Sequence, residues 1–174
     1  MKAITLILSL IICRLGFSQV DNNSLIKDDS VNLYVFIGEK ISLIKFDPNK
    51  DLEKNGRLQI DSVSGDTMVF KGYVVDNAFD AKYKVVGSVF NDLKVDTIDF
   101  KVYDHYGRPA FEKYQTVLLY ISKSKEGDHF FHQKYMFDVL IKDKNGNWRG
   151  KNGESIKELF DLKKNSVLKA RGIF

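Results

Sequence analysis

Phe79-Asp80-Ala81-Lys82-Tyr83-Lys84-Val85-Val86-Gly87-Ser88-Val89-Phe90 runs into a short polar turn at Asn91-Asp92, and Thr97-Ile98-Asp99-Phe100-Lys101-Val102-Tyr103 follows. In the first segment Phe79, Ala81, Tyr83 and Val85 alternate with Asp80, Lys82 and Lys84. In the second, Ile98, Phe100 and Val102 alternate with Thr97, Asp99 and Lys101. A two-residue period puts every other side chain on one face, the mark of a half-buried β-strand. The pair reads as two consecutive antiparallel strands.

Upstream, Leu33 to Phe46 is rich in Tyr, Val, Phe and Ile and predicts a long strand. Leu33, Val35 and Ile37 share a face, Gly38 interrupts the count, and Ile41 and Leu43 resume it. A glycine inside a strand marks a bulge or bend. Asp47 to Gly65 reads as a long loop or loose hairpin, and Asp66 to Val75 holds a short strand. Downstream, Val117 to Ile121 is apolar throughout and predicts a central strand. His129 to Lys142 predicts another strand, followed by a hairpin turn at Lys144-Asn145-Gly146-Asn147 with Trp148 packing back across it. Gly153 to Lys164 places Ile156, Leu159 and Phe160 at helical spacing with Asn152 as the expected cap. The tail, Ser166 to Phe174, is expected to dock as a last strand. The fold class expected is mainly β: a small OB-like barrel or a strongly coiled antiparallel sheet with one short C-terminal helix.

The N-terminus reads as a processing segment. Lys2 is followed by the apolar run Ala3 to Ile12, then by Gly16 and Ser18 at the small-residue positions before a cut between Ser18 and Gln19. The run is shorter than the roughly 20 residues a membrane span needs. The expected organisation is a signal peptide at 1–18, a flexible polar leader at 19–30 and a single β-rich domain at 31–174, exported to the periplasm or beyond. Lipid anchoring at Cys13 is the less favoured alternative, because Ile12 is bulky where a lipoprotein signal ends on a small residue.

Removing Lys2 and Arg14 with that segment lowers the formal charge from +4 to +2. That balance does not provide the clustered basic stripe of a nucleic-acid binder. Cys13 is the chain's one cysteine, so the expected mature domain has neither disulfide nor thiolate chemistry. Packing holds it together, and 13 Phe and 8 Tyr supply the apolar area.

Leu33-Tyr34-Val35-Phe36-Ile37-Gly38-Glu39-Lys40-Ile41 resembles the apolar-Phe-x-Gly-x-apolar opening strand of netrin-like and tissue-inhibitor-of-metalloproteinase-like domains. Tyr83 to Phe90 and Asp96 to Phe100 resemble the next two strands of that family. The similarity covers Leu33 to Tyr103, under half the chain. It implies a five-stranded OB-type barrel that is exported and acts by binding. The inhibitors of that family chelate the protease zinc through an N-terminal cysteine. The expected mature chain has none, so that mechanism is not implied here.

No catalytic constellation emerges. Asp104 and His105 are adjacent and diverge on a strand, and no Gly-x-Ser-x-Gly elbow is present. His129 and His132, three apart on a strand, face opposite ways and do not share a metal. Neither a dinucleotide nor a Walker-type phosphate loop occurs, and no cofactor is implied. The most distinctive surface stretch is Asp104 to Phe111, in which His105, Tyr106, Arg108 and Phe111 surround Gly107 and Pro109. Tyr and Arg are enriched where surfaces recognise partners. These four are the candidate binding residues, against a structural loop whose Tyr106 and Phe111 cap one barrel end. The expected role is an exported, non-enzymatic binding module for a protein or envelope component. The alternatives are an inhibitor or immunity-type protein that neutralises an extracytoplasmic toxin or protease, and oligonucleotide or oligosaccharide binding on the barrel.

Overall fold

The computed structural model describes residues 25–50, 57–65, 67–70, 72–125 and 127–174. The expected signal segment 1–18, with Cys13, lies outside them. Among the described residues there are eight strands: β1 Tyr34–Phe46, β2 Arg57–Ile60, β3 Thr67–Phe70, β4 Asn77–Phe90, β5 Thr97–Asp104, β6 Thr116–Lys123, β7 Phe130–Lys142 and β8 Trp148–Gly150. One helix follows, α1 Ile156–Lys163, continued by a π-helical turn, Lys164–Leu168. Among the described residues no helix is long and apolar enough to cross a membrane.

The sheet order is β5-β4-β1-β6-β7-β8, and a parallel pairing of Phe100 with Phe130 and Lys101 with Phe131 joins β5 to β7. Hydrogen bonding therefore runs in a ring through β1, β4, β5, β7 and β6. The fold is a small OB-like barrel of five long strands. β1 is the strand that makes closure possible. Its first half pairs with both β4 and β6, and its second half pairs with β4 alone. Register shifts at Val35/Phe36, Ile37/Gly38 and Lys40/Ser42 coil it between the two. Gly38 also serves packing: a methyl there would lie 3.0 Å from ring carbons of Phe36 and Tyr83 and 3.1 Å from Leu119 Cδ1. Past the bend the alternation does not hold as expected. Leu43 packs against the barrel core, whereas Ile41 is exposed.

β6 explains its own unbroken apolar sequence. Val117, Leu119 and Ile121 fill the barrel interior with Phe36, Tyr83, Phe100 and Phe111. Leu118 and Tyr120 face the opposite way, into a second cluster with Leu33, Val35, Ile37, Phe90, Leu159, Phe160 and Leu168. A strand buried on both faces loses the polar half of its alternation. Each such side chain contributes roughly 2 kcal/mol on burial.

α1 closes that outer cluster. Its N-cap is Ser155 and not Asn152: the Ser155 hydroxyl accepts from the Glu158 N–H, and the Glu158 carboxylate accepts from the Ser155 N–H. Asn152 instead donates to Glu154. The tail is not a strand. Leu159, Phe160, Val167 and Leu168 recur at helical spacing, so the chain stays helical past Leu168 and buries that side chain. Gly172 then turns at φ 68°, and Phe174 returns to within 5.4 Å of the Phe90 ring and 6.3 Å of the Phe160 ring.

The expected loop or loose hairpin, Asp47 to Gly65, contains β2, which pairs from Arg57–Phe70 to Ile60–Thr67 with β3, the short strand expected within Asp66 to Val75. In the expected leader, residues 25–30 are anchored. Ile26 bridges to Phe90, and Asn91 Nδ2 donates to the carbonyls of Asp28, Val31 and Leu33. The ordered domain thus reaches back beyond residue 31.

Candidate binding site

Ile98, Phe100 and Val102 point from β5 into the barrel, as the alternation predicts, and Asp104 is the next residue in that inward row. Asp104 is 6% exposed, and its Oδ1 accepts the Tyr106 N–H at 2.8 Å. This Asx turn sends the chain outward. Gly107, at φ 124°, makes the return possible. Pro109 then starts a short 3-10 turn, Ala110–Lys113, that drives Phe111 into the barrel end.

The four candidate residues divide. Phe111 is 1% exposed and packs against Tyr83, His132 and Phe137. Arg108 is committed to the loop itself. It forks onto both Glu112 oxygens at 2.5 Å, lies 5.2 Å above the Phe79 ring and donates to the Leu43 carbonyl at 3.3 Å. The pair holds the Glu112 carboxyl below the ordinary carboxylate range and raises the guanidinium further. His105 and Tyr106 are presented outward, Tyr106 at 86% exposure.

The second half of the site comes from β7. Leu119 pairs with Phe137 and Ile121 pairs with His132, so Tyr120 of β6 faces a four-residue excursion, Gln133 to Met136. Within it Tyr135 has φ 65°, a left-handed conformation rare for an aromatic residue. The excursion is tied at several points. His132 Nε2 is 2.8 Å from the Met136 carbonyl oxygen, Gln133 donates to Ser122 at 2.7 Å, and Arg171 donates to the Lys134 carbonyl at 2.9 Å.

It meets the Asp104–Phe111 loop directly. The Tyr135 and Tyr106 rings stack at 6.2 Å, and the His105 ring stands edge-on to Tyr106 at 5.3 Å. Asp76, just before β4, bridges the two elements: its Oδ2 accepts from Lys134 Nζ at 2.6 Å and its Oδ1 lies 3.2 Å from His105 Nδ1. The Lys134 hydrogen bond is the main reason the Asp76 carboxyl lies below its ordinary value. The Lys134 ammonium is raised by the same contact.

Two depressions flank this cluster. One, of about 180 Å³, lies between the loop and the excursion, with Phe111, His132, Tyr135 and Phe137 among its walls. The other, broader and about 490 Å³, lies between the end of β1 and the approach to β4, beside Asp76 and the exposed Tyr73 and Val75.

Asp104 and His105 diverge, one into the barrel and one toward Asp76, and do not form half of a triad. His129 pairs with Asp128 at the surface while His132 is buried. Among the described residues no three His, Cys, Asp or Glu side chains converge to hold a metal.

Sequence reasoning missed Asp76, Lys134, Tyr135 and the inward role of His132. The available signal was His132-Gln133-Lys134, three polar residues in a row inside an aromatic strand. That run breaks the alternation on both faces and marks an excursion. No family model, curated protein or solved structure matches this chain.

Proposed function

We propose that this chain is an exported, non-enzymatic binding module, and that it recognises a protein or envelope component through the barrel end carrying Tyr106 and Tyr135. The observation that carries this reading is the strained excursion of β7. A left-handed backbone at a non-glycine residue costs roughly 1–2 kcal/mol. Here it holds an aromatic ring at the surface, against a second exposed tyrosine. Strain of this kind clusters at ligand clamps and active sites. Tyrosine offers a large, rigid, amphipathic contact at low entropy cost. The Asp76 contacts and the Arg108–Glu112 fork hold both loops in place before any partner arrives. The OB-like barrel supports the reading as well, since such barrels bind through loops and strand faces. The partial resemblance to netrin-like domains is consistent with it. Export rests on the order of charge, apolar run and small residues in 1–18.

The test is comparative capture from an envelope extract. The native protein is expected to retain a species that the Tyr106→Ala/Tyr135→Ala double variant loses, with both proteins equally folded. Equal retention by the two would overturn the assignment of this surface. For export, the intact mass of protein recovered outside the cytoplasm is expected to begin at Gln19. A mass that retains residues 1–18 would overturn cleavage there.

A further inference from the structure

The pocket of about 180 Å³ at this barrel end has an unusual lining. Its two buried polar side chains are Asp104 and His132. Asp104 as a residue is 6% exposed, yet among the described residues its side chain makes one hydrogen bond, from the Tyr106 N–H to Oδ1. A carboxylate offers about four acceptor sites, so most of this one's capacity is unspent. Lys134 senses its charge, but the ammonium of that residue is held 2.6 Å from Asp76.

His132 is an acceptor too. A carbonyl oxygen only accepts, so Nε2, 2.8 Å from the Met136 oxygen, carries the proton. Burial pushes the imidazole down to about 4, which keeps the ring neutral near pH 7 and leaves Nδ1 bare. Among the described residues Nδ1 has no hydrogen-bond partner.

Lys, Arg, Ser, Thr, Asn and Gln side chains do not contribute to the lining. The rest of it is largely ring and aliphatic surface, with Phe111, Phe137, Tyr135 and Tyr103 contributing. Aromatic faces attract cations, and rings grouped around a cleft form the cages that hold alkylammonium groups. An anion would meet the Asp104 charge, and a neutral apolar group would leave that charge without a counter-ion beside the rings. Size agrees: an engineered cavity of about 150 Å³ holds benzene, so this one accommodates a group of that bulk.

We infer that this pocket binds an organic ammonium group, with the Asp104 carboxylate as its counter-ion and the surrounding rings as its apolar wall, the His132 Nδ1 accepting an N–H where the ammonium carries one. The inference rests on the reading of this barrel end as the binding site and names the chemistry recognised there. Such a head group can be free, as in a small quaternary amine, or carried on the lysine side chain of a partner protein.

The experiment is a backbone-amide NMR titration of the full domain with tetramethylammonium, choline, N-acetyl-lysine methylamide and 3,3-dimethylbutan-1-ol, the neutral isostere of choline. Saturable shifts confined to residues 104–111 and 132–137 are expected with the cations and not with the alcohol. Asp104→Asn keeps the side-chain shape and the acceptor for the Tyr106 N–H, and is expected to weaken cation binding by about tenfold or more. Preference for tetramethylammonium would assign a free quaternary amine, and preference for the lysine derivative a partner lysine. Either supports the inference.

Equal binding of choline and its neutral isostere would overturn it, with no variant required. So would absence of shifts with every cation. If no cation binds while the Tyr106→Ala/Tyr135→Ala variant still loses its captured species, the ammonium site falls and the binding surface stands. Cation binding with unchanged capture removes the wider surface and keeps the pocket.

Discussion

Tyr106 and Tyr135 stack at 6.2 Å with their planes 29° apart, and each is presented by a device that no regular strand supplies. Tyr106 leaves β5 on an Asx turn made by Asp104, and Tyr135 leaves β7 on a four-residue excursion. The contact couples two segments that hydrogen-bonded pairing alone leaves apart.

Backbone strain at Tyr135 predicts an inversion of the usual helix and strand rule. At φ 65°, glycine is unstrained and any Cβ is not. Tyr135→Gly is therefore expected to be more stable than Tyr135→Ala by about 1 kcal/mol, although both lose the stack with Tyr106. Urea unfolding of the two variants measures this directly, and a more stable alanine variant would show that the excursion relaxes.

Burial of His132 predicts a stability slope on the acid side. Its folded imidazole is pushed down to about 4, chiefly by desolvation, against an ordinary value of 6.5. The unfolded chain thus takes up a proton at higher pH than the native one. The resulting stability is full above about pH 6.5 and is lost as the pH falls toward 4, by roughly 3 kcal/mol. His132→Gln can still donate to the Met136 carbonyl and does not titrate. Between pH 6.5 and 4 it is expected to lose correspondingly less stability than the native protein in parallel denaturant titrations. Equal losses would mean that His132 does not set the slope.

Tyr83 lies in the barrel interior, and its hydroxyl is the one side-chain polar atom sealed from solvent and without a partner among the described residues. Burial raises its phenol well above the ordinary value. A stranded hydroxyl costs about 1–3 kcal/mol of desolvation. Tyr83→Phe removes that cost and keeps the ring contacts with Phe100 and Phe111. It is expected to raise stability by about 1 kcal/mol, read as a higher unfolding midpoint at unchanged slope. A lower midpoint would reveal a hidden hydrogen-bond partner.

Gly38 predicts a cost from the smallest possible addition. A methyl group there would crowd Phe36, Tyr83 and Leu119 at 3.0–3.1 Å, inside a packed barrel. Gly38→Ala is expected to lose about 1–3 kcal/mol from overpacking. Thermal unfolding checks it, and a neutral result would mean that the rings rotate away freely.

Much of this was legible in the sequence. Alternation in Phe79–Val85 and Thr97–Tyr103 located β4 and β5 and their inward faces, and the interruption at Gly38 located a register shift. The helix was legible, but its end was not. Leu168 continues the spacing of Leu159 and Phe160 only if the polar stretch between them stays helical, which packing against Phe90 and its neighbours decides.

The site divides on the same line. Local pattern marked the Asp104–Phe111 loop, because Asp, Gly and Pro announce turns through their own backbone preferences. It also determined which residues β5 sends inward, since side chains of one strand alternate whatever their surroundings. Tertiary structure alone decided that Phe111 is a plug, that Arg108 is spent on Glu112, and that Asp76, His132, Lys134 and Tyr135 complete the cluster. These residues come from elements far apart in the chain. They meet because the parallel pairing of β5 with β7 closes the barrel, and no local period encodes which strands close a ring.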